Sequence, residues 1–332
     1  MFDVKNKVYL VGAGSGDPEL LTMKGWRCLK EADVVVYDRL VNPILPHLTN
    51  PKAKLIYAGK EYHHHAMTQD EINRTLIQLA KEKQSVVRLK GGDPSVYGRV
   101  AEEMKALDEA GIPYEVIPGV TSAFSATVYA GIIATERHIS EKVGIFTPTA
   151  VLHELSEEPV QELCHGGTVV LYMGLNRLGD LVAMLKQQKA QGLPMAVIEW
   201  GTWGRQRKIL TTVQEVEQEV KAQNFHSPSL IVLGEAVRNA SPRSWFESLP
   251  RFGQSFIYVM DQRDDLEHVF QYIREGADVY PLFVGKAHDP RFNTMNHRIL
   301  GQYDNIHYAD GVYEKYHVEV EEMVKEAHEE DL

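Results

Sequence analysis

The apolar run Val87-Arg88-Leu89 breaks abruptly into Lys90-Gly91-Gly92-Asp93-Pro94, and this break constrains the chain more than any other stretch. Two residues without a Cβ let another molecule approach the main chain closely, and Asp93 adds a charged acceptor. The same letters also suit a helix start. Asp93 is a good N-cap and Pro94 a favoured first helical residue, for a helix reaching Ala110. Local chemistry leaves these two readings balanced, so the pattern around them has to decide.

That pattern alternates strands and helices. A strand at 8–11 enters the loop Gly12-Ala13-Gly14-Ser15-Gly16, and Asp17 with Pro18 then starts a helix reaching Ala32. Strands follow at 34–37 and near 55–57. Thr68 with Glu71 makes a capping box for a helix reaching Lys83, before a strand at 85–89. The alternation predicts an α/β domain over 1–118 with a largely parallel sheet. Its glycine loop lacks the Gly-x-Gly-x-x-Gly spacing of dinucleotide binders, which makes NAD a poor candidate. Beyond Pro118-Gly119, a small-residue helix at 122–130 and strands at 143–146, 168–172, 195–199 and 230–233 predict a second α/β domain over 119–238. The polar segment 239–250 reads as a linker. Residues 251–332 carry a strand at 256–260, a helix reaching Glu275 and a strand at 277–280, in a stretch of about 80 residues that is marginal for a core of its own. The acidic end, 318–332, reads as a solvated helix end or a frayed terminus.

The 332 residues carry a net charge of −11, which disfavours nonspecific binding to nucleic acid. No apolar stretch approaches the roughly 20 residues needed to span a bilayer, so no membrane role is expected. The N-terminus runs into a strand without the pattern of a signal peptide, which leaves the cytoplasm as the expected location. Cys28 and Cys164 are the two cysteines, with no second cysteine at ligand spacing, and both read as buried thiols. His63-His64-His65 invites a metal reading. Neighbouring loop histidines seldom converge on one ion, however, and no acid or cysteine stands at convincing spacing, so no metal is expected.

Several blocks in order identify a family. Val11 to Thr22 (VGAGSGDPELLT), Val36-Tyr37-Asp38-Arg39-Leu40-Val41, Arg88 to Pro94 and Pro118-Gly119-Val120-Thr121-Ser122-Ala123 resemble the uroporphyrinogen-III C-methyltransferases, as do Tyr172-Met173-Gly174, Glu199-Trp200-Gly201-Thr202 and Ser227 to Val232. The resemblance covers about residues 5 to 238. A weaker one links 245–332 to the first part of uroporphyrinogen-III synthase, cut short, through Trp245 to Pro250 and Glu275 to Val279.

The resemblance implies a two-domain tetrapyrrole methylase fold of α/β class, usually a homodimer, with S-adenosylmethionine in the cleft between domains and a short C-terminal α/β segment beyond. It implies two methyl transfers onto uroporphyrinogen III, giving precorrin-2 on the way to sirohaem and cobalamin. Cofactor contacts would fall on Gly91, Gly92, Asp93, Val96, Thr121, Ser122, Met173 and Gly201, and on Ser15, where the family has proline. The family's proposed acid and base correspond to Asp38 and Lys60. Read without the family, Asp38 would be a strand-end carboxylate paired with Arg39 or capping a turn. The substrate's eight carboxylates call for cations that offset the chain's own charge, and Arg39, Lys60, Arg88, Arg99 and Arg137 are the candidates, with Thr135 a further substrate contact.

The chain departs from the family on the substrate side. Gly131 to Arg137 reads GIIATER where GIPLTHR is usual, Thr147-Pro148-Thr149 replaces Thr-Gly-His, and Gly98 to Glu102 reads GRVAE in place of GRGGE. Glu61 stands where arginine is usual. Acids at 136 and 61 would repel an octacarboxylate if they line the cleft. This leaves three readings: an active uroporphyrinogen-III methyltransferase, a methylase of the same fold with another tetrapyrrole or small-molecule substrate, and a catalytically weak binding or scaffold protein.

Overall fold

A computed structural model describes residues 7–59, 67–82, 84–153 and 164–330. The backbone divides into two units, 1–121 with 254–332, and 122–253.

In unit 1, five parallel strands form one sheet: β1 (Val8–Gly12), β2 (Val34–Tyr37), β3 (Lys54–Tyr57), β4 (Val86–Lys90) and β5 (Tyr114–Ile117), in the order β3-β2-β4-β1-β5. Strands β2 and β4 are buried along their whole length, which suits an inner strand covered on both faces. The capping box of Thr68 and Glu71 is formed and opens a helix at Gln69–Lys81. Two other helix starts differ from the expectation. Asp17 caps only the single 3-10 turn Pro18–Leu20, and Thr22 caps the longer helix Met23–Glu31. Asp93 caps no long helix either, because that helix runs Val100–Glu109 and begins after Arg99. Strand β5 carries no signal in the periodicity used above, since a charged Glu115 sits in its middle.

In unit 2 the strands are β6 (Lys142–Phe146), β7 (Gly167–Tyr172), β8 (Pro194–Glu199), β9 (Arg207–Thr212) and β10 (Ser229–Leu233), in the order β6-β7-β10-β8-β9. Only β6 and β7 run parallel; the remaining pairs are antiparallel. β9 begins with two cations, Arg207 and Lys208, which hides it from a hydrophobic pattern. Residues 239–253 pack onto this unit. Lys208 Nζ donates to Ala130 O and Ser241 O, each at 2.9 Å, and to Glu247 Oε2 at 2.7 Å. Tyr129 meets Trp245 and Phe246 at ring separations of 4.8 and 4.7 Å.

Residues 254–330 add β11 (Ser255–Met260), β12 (Asp278–Phe283) and β13 (Ile306–Tyr308), a parallel sheet ordered β12-β11-β13. This segment shares one hydrophobic core with the first sheet of unit 1, which answers its shortage of apolar interior. His47 stacks on Phe292 at 3.8 Å, and Arg291 Nη1 donates to Asn50 O at 3.0 Å and Ala53 O at 2.9 Å. Through Glu330 the acidic stretch lies on a helix, Tyr313–Glu330, with Glu319, Glu321, Glu322 and Glu326 exposed and Val320 and Ala327 buried in the same core.

Candidate active site

The parallel register of unit 1 sets Gly12 opposite Lys90 and Val11 opposite Ile117, so the loops leaving β1, β4 and β5 emerge side by side. The carboxyl ends of such strands are where open α/β sheets bind ligands. Gly14 and Gly92 exchange backbone hydrogen bonds, at 3.3 Å from Gly14 N and 2.7 Å from Gly92 N. A Cβ on Gly12 would lie 2.6 Å from the Gly119 Cα, and one on Gly119 would land on the Gly92 carbonyl oxygen. The three backbones therefore touch where no side chain fits. Gly92 itself stands at φ +69° with open space on the side a Cβ would occupy.

Asp93 fastens this cluster. Its Oδ2 accepts the Gly119 amide at 3.0 Å, and its Oδ1 accepts Ser95 N at 2.8 Å. The loop after β2 joins in, because Asn42 Nδ2 donates to Gly16 O at 2.7 Å and Leu40 lies against Gly91. Ser15, Gly91, Gly92 and Asp93 are thus brought together, with half-buried Val96 one turn on, its amide donating to Asp93 O at 3.2 Å. Thr121, buried, follows two residues after Gly119.

At the end of β2, Asp38 pairs with Arg88, not with Arg39: Arg88 Nη2 donates to Asp38 Oδ1 at 2.6 Å. Arg88 is buried and also donates from Nε to Glu103 Oε1 at 3.2 Å, an oxygen that accepts Lys90 Nζ at 2.8 Å. Burial foremost, with Arg88 beside it, lowers the Lys90 pKa, against the pull of Glu103. Glu103 and Lys90 escape sequence reasoning, since a glutamate inside an acidic helix and a lysine at a strand end both read as solvated. The one available signal was that Glu103 falls three residues after Val100 and four before Leu107, on the buried stripe.

In unit 2, the helix Ser122–Tyr129 collects the other expected contacts. The Tyr172 hydroxyl accepts the Ala123 amide at 2.8 Å and lies 3.1 Å from Ser122 Oγ. Met173 follows, exposed and at φ +56°, while Gly201 presses its backbone on Ala126 where a Cβ would collide. Trp200 and Thr202, at φ +50° and +71°, flank it. Left-handed backbone at bulky residues costs of order 1–3 kcal/mol each and gathers at functional sites.

Residues 7–217 match the family described as Tetrapyrrole (Corrin/Porphyrin) Methylases. The chain belongs to the tetrapyrrole methylases. A uroporphyrinogen-III C-methyltransferase of Bacillus subtilis (strain 168) is 40% identical over 309 residues, 91% of this methylase but only 63% of that relative. A match of that extent reaches into residues 254–332. A second protein of the same name and strain is 43% identical over 244 residues, 73% of this chain and 95% of the relative. Uroporphyrin-III C-methyl transferase from Thermus thermophilus, solved in complex with S-adenosyl homocysteine, aligns with a TM-score of 0.58 at 36% identity, over 70% of the methylase and 93% of that chain.

The residues expected on the substrate side of the methylase fall in both units. Arg39 is exposed just past β2. Arg88, a candidate cation by sequence, is spent internally on Asp38 and Glu103. Arg99, at φ +56°, pairs with Glu102 through Nε and Nη2, both at 2.7 Å. In unit 2, Thr135, Glu136 and Arg137 are exposed on a tight loop closed by reciprocal 2.8 Å bonds between Glu136 and Ser140, and Glu136 accepts Asn239 Nδ2 at 3.3 Å. Lys60, Glu61 and His63-His64-His65 lie outside the described residues. Among the described residues, no three His, Cys, Asp or Glu side chains are grouped to hold a metal ion, and no helix is long and apolar enough to cross a membrane.

Proposed function

We propose that this methylase transfers two methyl groups from S-adenosylmethionine to ring carbons of uroporphyrinogen III, giving precorrin-2 for sirohaem or cobalamin synthesis. The observation that carries the reading is the interlocked glycine cluster at the ends of β1, β4 and β5, joined to relatives of that name at 40% and 43% identity. The cofactor fits this cluster on its own terms: Gly92 leaves open space over a bare backbone, and bare backbone admits a polar ligand to amides and carbonyls. Gly91, Gly92, Asp93, Val96, Ser15 and Thr121 would hold it, and Ser122, Met173 and Gly201 are the further contacts that the resemblance implies. Bound there, S-adenosylmethionine supplies an electrophilic methyl group on a sulfonium.

The chain's own work is then positioning and proton transfer. An in-line displacement gains from holding the reacting atoms aligned and dry. A fully substituted ring carbon that gains a methyl leaves the macrocycle with a positive charge, which is discharged by loss of a proton from a neighbouring position, and Asp38, one third exposed beside its guanidinium partner, is the proposed acceptor, with Lys60 as donor. Arg39, Arg99, Thr135 and Arg137 are the proposed grips for substrate carboxylates. A homodimer in the cytoplasm completes the reading; Phe124 and Val128, one helical turn apart, and Ile133 offer exposed apolar surface that a second copy would cover. Residues 254–332 are proposed to brace unit 1 without synthase activity of their own.

Anaerobic incubation with uroporphyrinogen III and methyl-labelled S-adenosylmethionine, followed by mass analysis of the tetrapyrrole, tests the reading. A gain of two methyl groups is expected. Glu136, exposed where the family has histidine, favours one alternative, a different tetrapyrrole; cofactor binding without methylation of uroporphyrinogen III would establish it. Formation of uroporphyrinogen III from hydroxymethylbilane would overturn the assignment of the tail.

A further inference from the structure

We infer that Glu103 is a positioning residue for methyl transfer: acting through Arg88, it holds the Asp38 carboxylate in the orientation that proton removal requires. The inference rests on the proposed role of Asp38 as proton acceptor. Four charged groups form a string: Lys90 and Arg88 on β4, Glu103 on the helix Val100–Glu109 and Asp38 just past β2. Lys90 and Arg88 share Glu103 Oε1, Gln69 Nε2 approaches the same oxygen at 3.4 Å, and Arg88 alone continues to Asp38. Side-chain exposure grades along the string: 4% for Lys90, 0% for Glu103, 3% for Arg88 and 33% for Asp38. Three members are sealed in the protein and only Asp38 opens to solvent, so the string has a single outlet.

Stability does not account for this arrangement. Glu103 occupies the buried stripe of its helix with Val100 and Leu107, where an apolar side chain of similar volume would ordinarily serve at least as well, since desolvating ions offsets their attraction. Its Oε2 is buried with no hydrogen-bond partner among the described residues, a further cost. What an apolar residue cannot do is orient a guanidinium. Arg88 Nε is pinned by Glu103, its Nη1 reaches toward Val36 O at 3.4 Å, and Nη2 is left aimed at Asp38. With Lys90 protonated, the two cations exceed the single glutamate by one charge, and Asp38 is the carboxylate that balances it. The geometry is that of an orienting group behind an acid–base residue, where a small misplacement costs rate more than binding.

The test is a double-mutant cycle on Glu103→Gln and Asp38→Asn in the full chain, reading kcat, KM for both substrates, calorimetric S-adenosylmethionine affinity and the melt. Expected is a kcat lowered about 10- to 100-fold in Glu103→Gln with cofactor affinity unchanged, and a double variant no slower than Asp38→Asn alone. If Asp38→Asn slows the reaction but Glu103→Gln does not, or if the two effects multiply, Glu103 is structural and the inference fails while the role of Asp38 stands. If Asp38→Asn leaves kcat intact, the underlying reading fails and takes the inference with it. Arg88→Lys, which keeps the charge but cannot span both carboxylates with a fork, is read the same way should Glu103→Gln not fold.

Discussion

The Asp93 carboxylate accepts the amide of Gly119 at 3.0 Å across two loops, fastening the end of β4 to the end of β5 while its other oxygen accepts Ser95 N at 2.8 Å. The residue that most resembled a helix cap is a staple between strands. Removing it frees two loops of the proposed cofactor site. Asp93→Ala is expected to cost about 1–2 kcal/mol of stability and also to weaken S-adenosylmethionine binding. Calorimetric titration beside a thermal melt checks both, and intact affinity in a destabilised variant would restrict Asp93 to structure.

Two glycines of one cluster should respond differently to a methyl group. On Gly119 a Cβ meets the Gly92 carbonyl oxygen, so Gly119→Ala must spread the strand ends, with an expected loss of about 1–3 kcal/mol. At Gly92 the Cβ has room but the backbone is left-handed, so Gly92→Ala should lose about 1 kcal/mol and place its methyl where a ligand would lie. Melts and binding isotherms of the pair separate the effects: Gly119→Ala chiefly lowers stability, Gly92→Ala chiefly affinity.

Acid should loosen unit 1 through His47. The ring is buried against Phe292, neither nitrogen has a hydrogen-bond partner among the described residues, and burial lowers its pKa to about 3. The unfolded chain therefore takes up a proton near pH 6.5 that the folded chain refuses until about pH 3. Its contribution is fully present above about pH 6.5 and is lost as pH falls through that window, by up to about 1.4 kcal/mol per unit. Denaturant unfolding at several pH values should show this slope, and His47→Phe should flatten it.

In unit 2, Lys208 ties residues 239–250 to the helix 122–129 side of the sheet through Ala130, Ser241 and Glu247. Both partners of the ion pair are nearly buried, at 8% and 11% exposure. Lys208→Met leaves Glu247 charged and short of a cation, with an expected cost of about 3–5 kcal/mol. Chemical denaturation measures it, and Lys208→Met combined with Glu247→Gln should recover part of the loss.

Local chemistry in the sequence carried a large part of this protein. The capping box at Thr68 and Glu71 and the strand periods at 34–37 and 230–233 depend on neighbours a few residues away, so they can be read in order along the chain. The glycine and acid blocks were likewise sufficient to name a family, because ligand loops are contiguous strings of letters. What the letters could not decide was partnership over distance. Asp93 finds Gly119, Asp38 takes Arg88 and not its neighbour Arg39, and the acidic tail buries Val320 and Ala327 in the core of unit 1. Each of these depends on which strand ends the parallel register sets side by side and on which apolar face remains to be covered. The folded backbone brings such groups together from tens or hundreds of residues apart, and no period in the sequence records that distance.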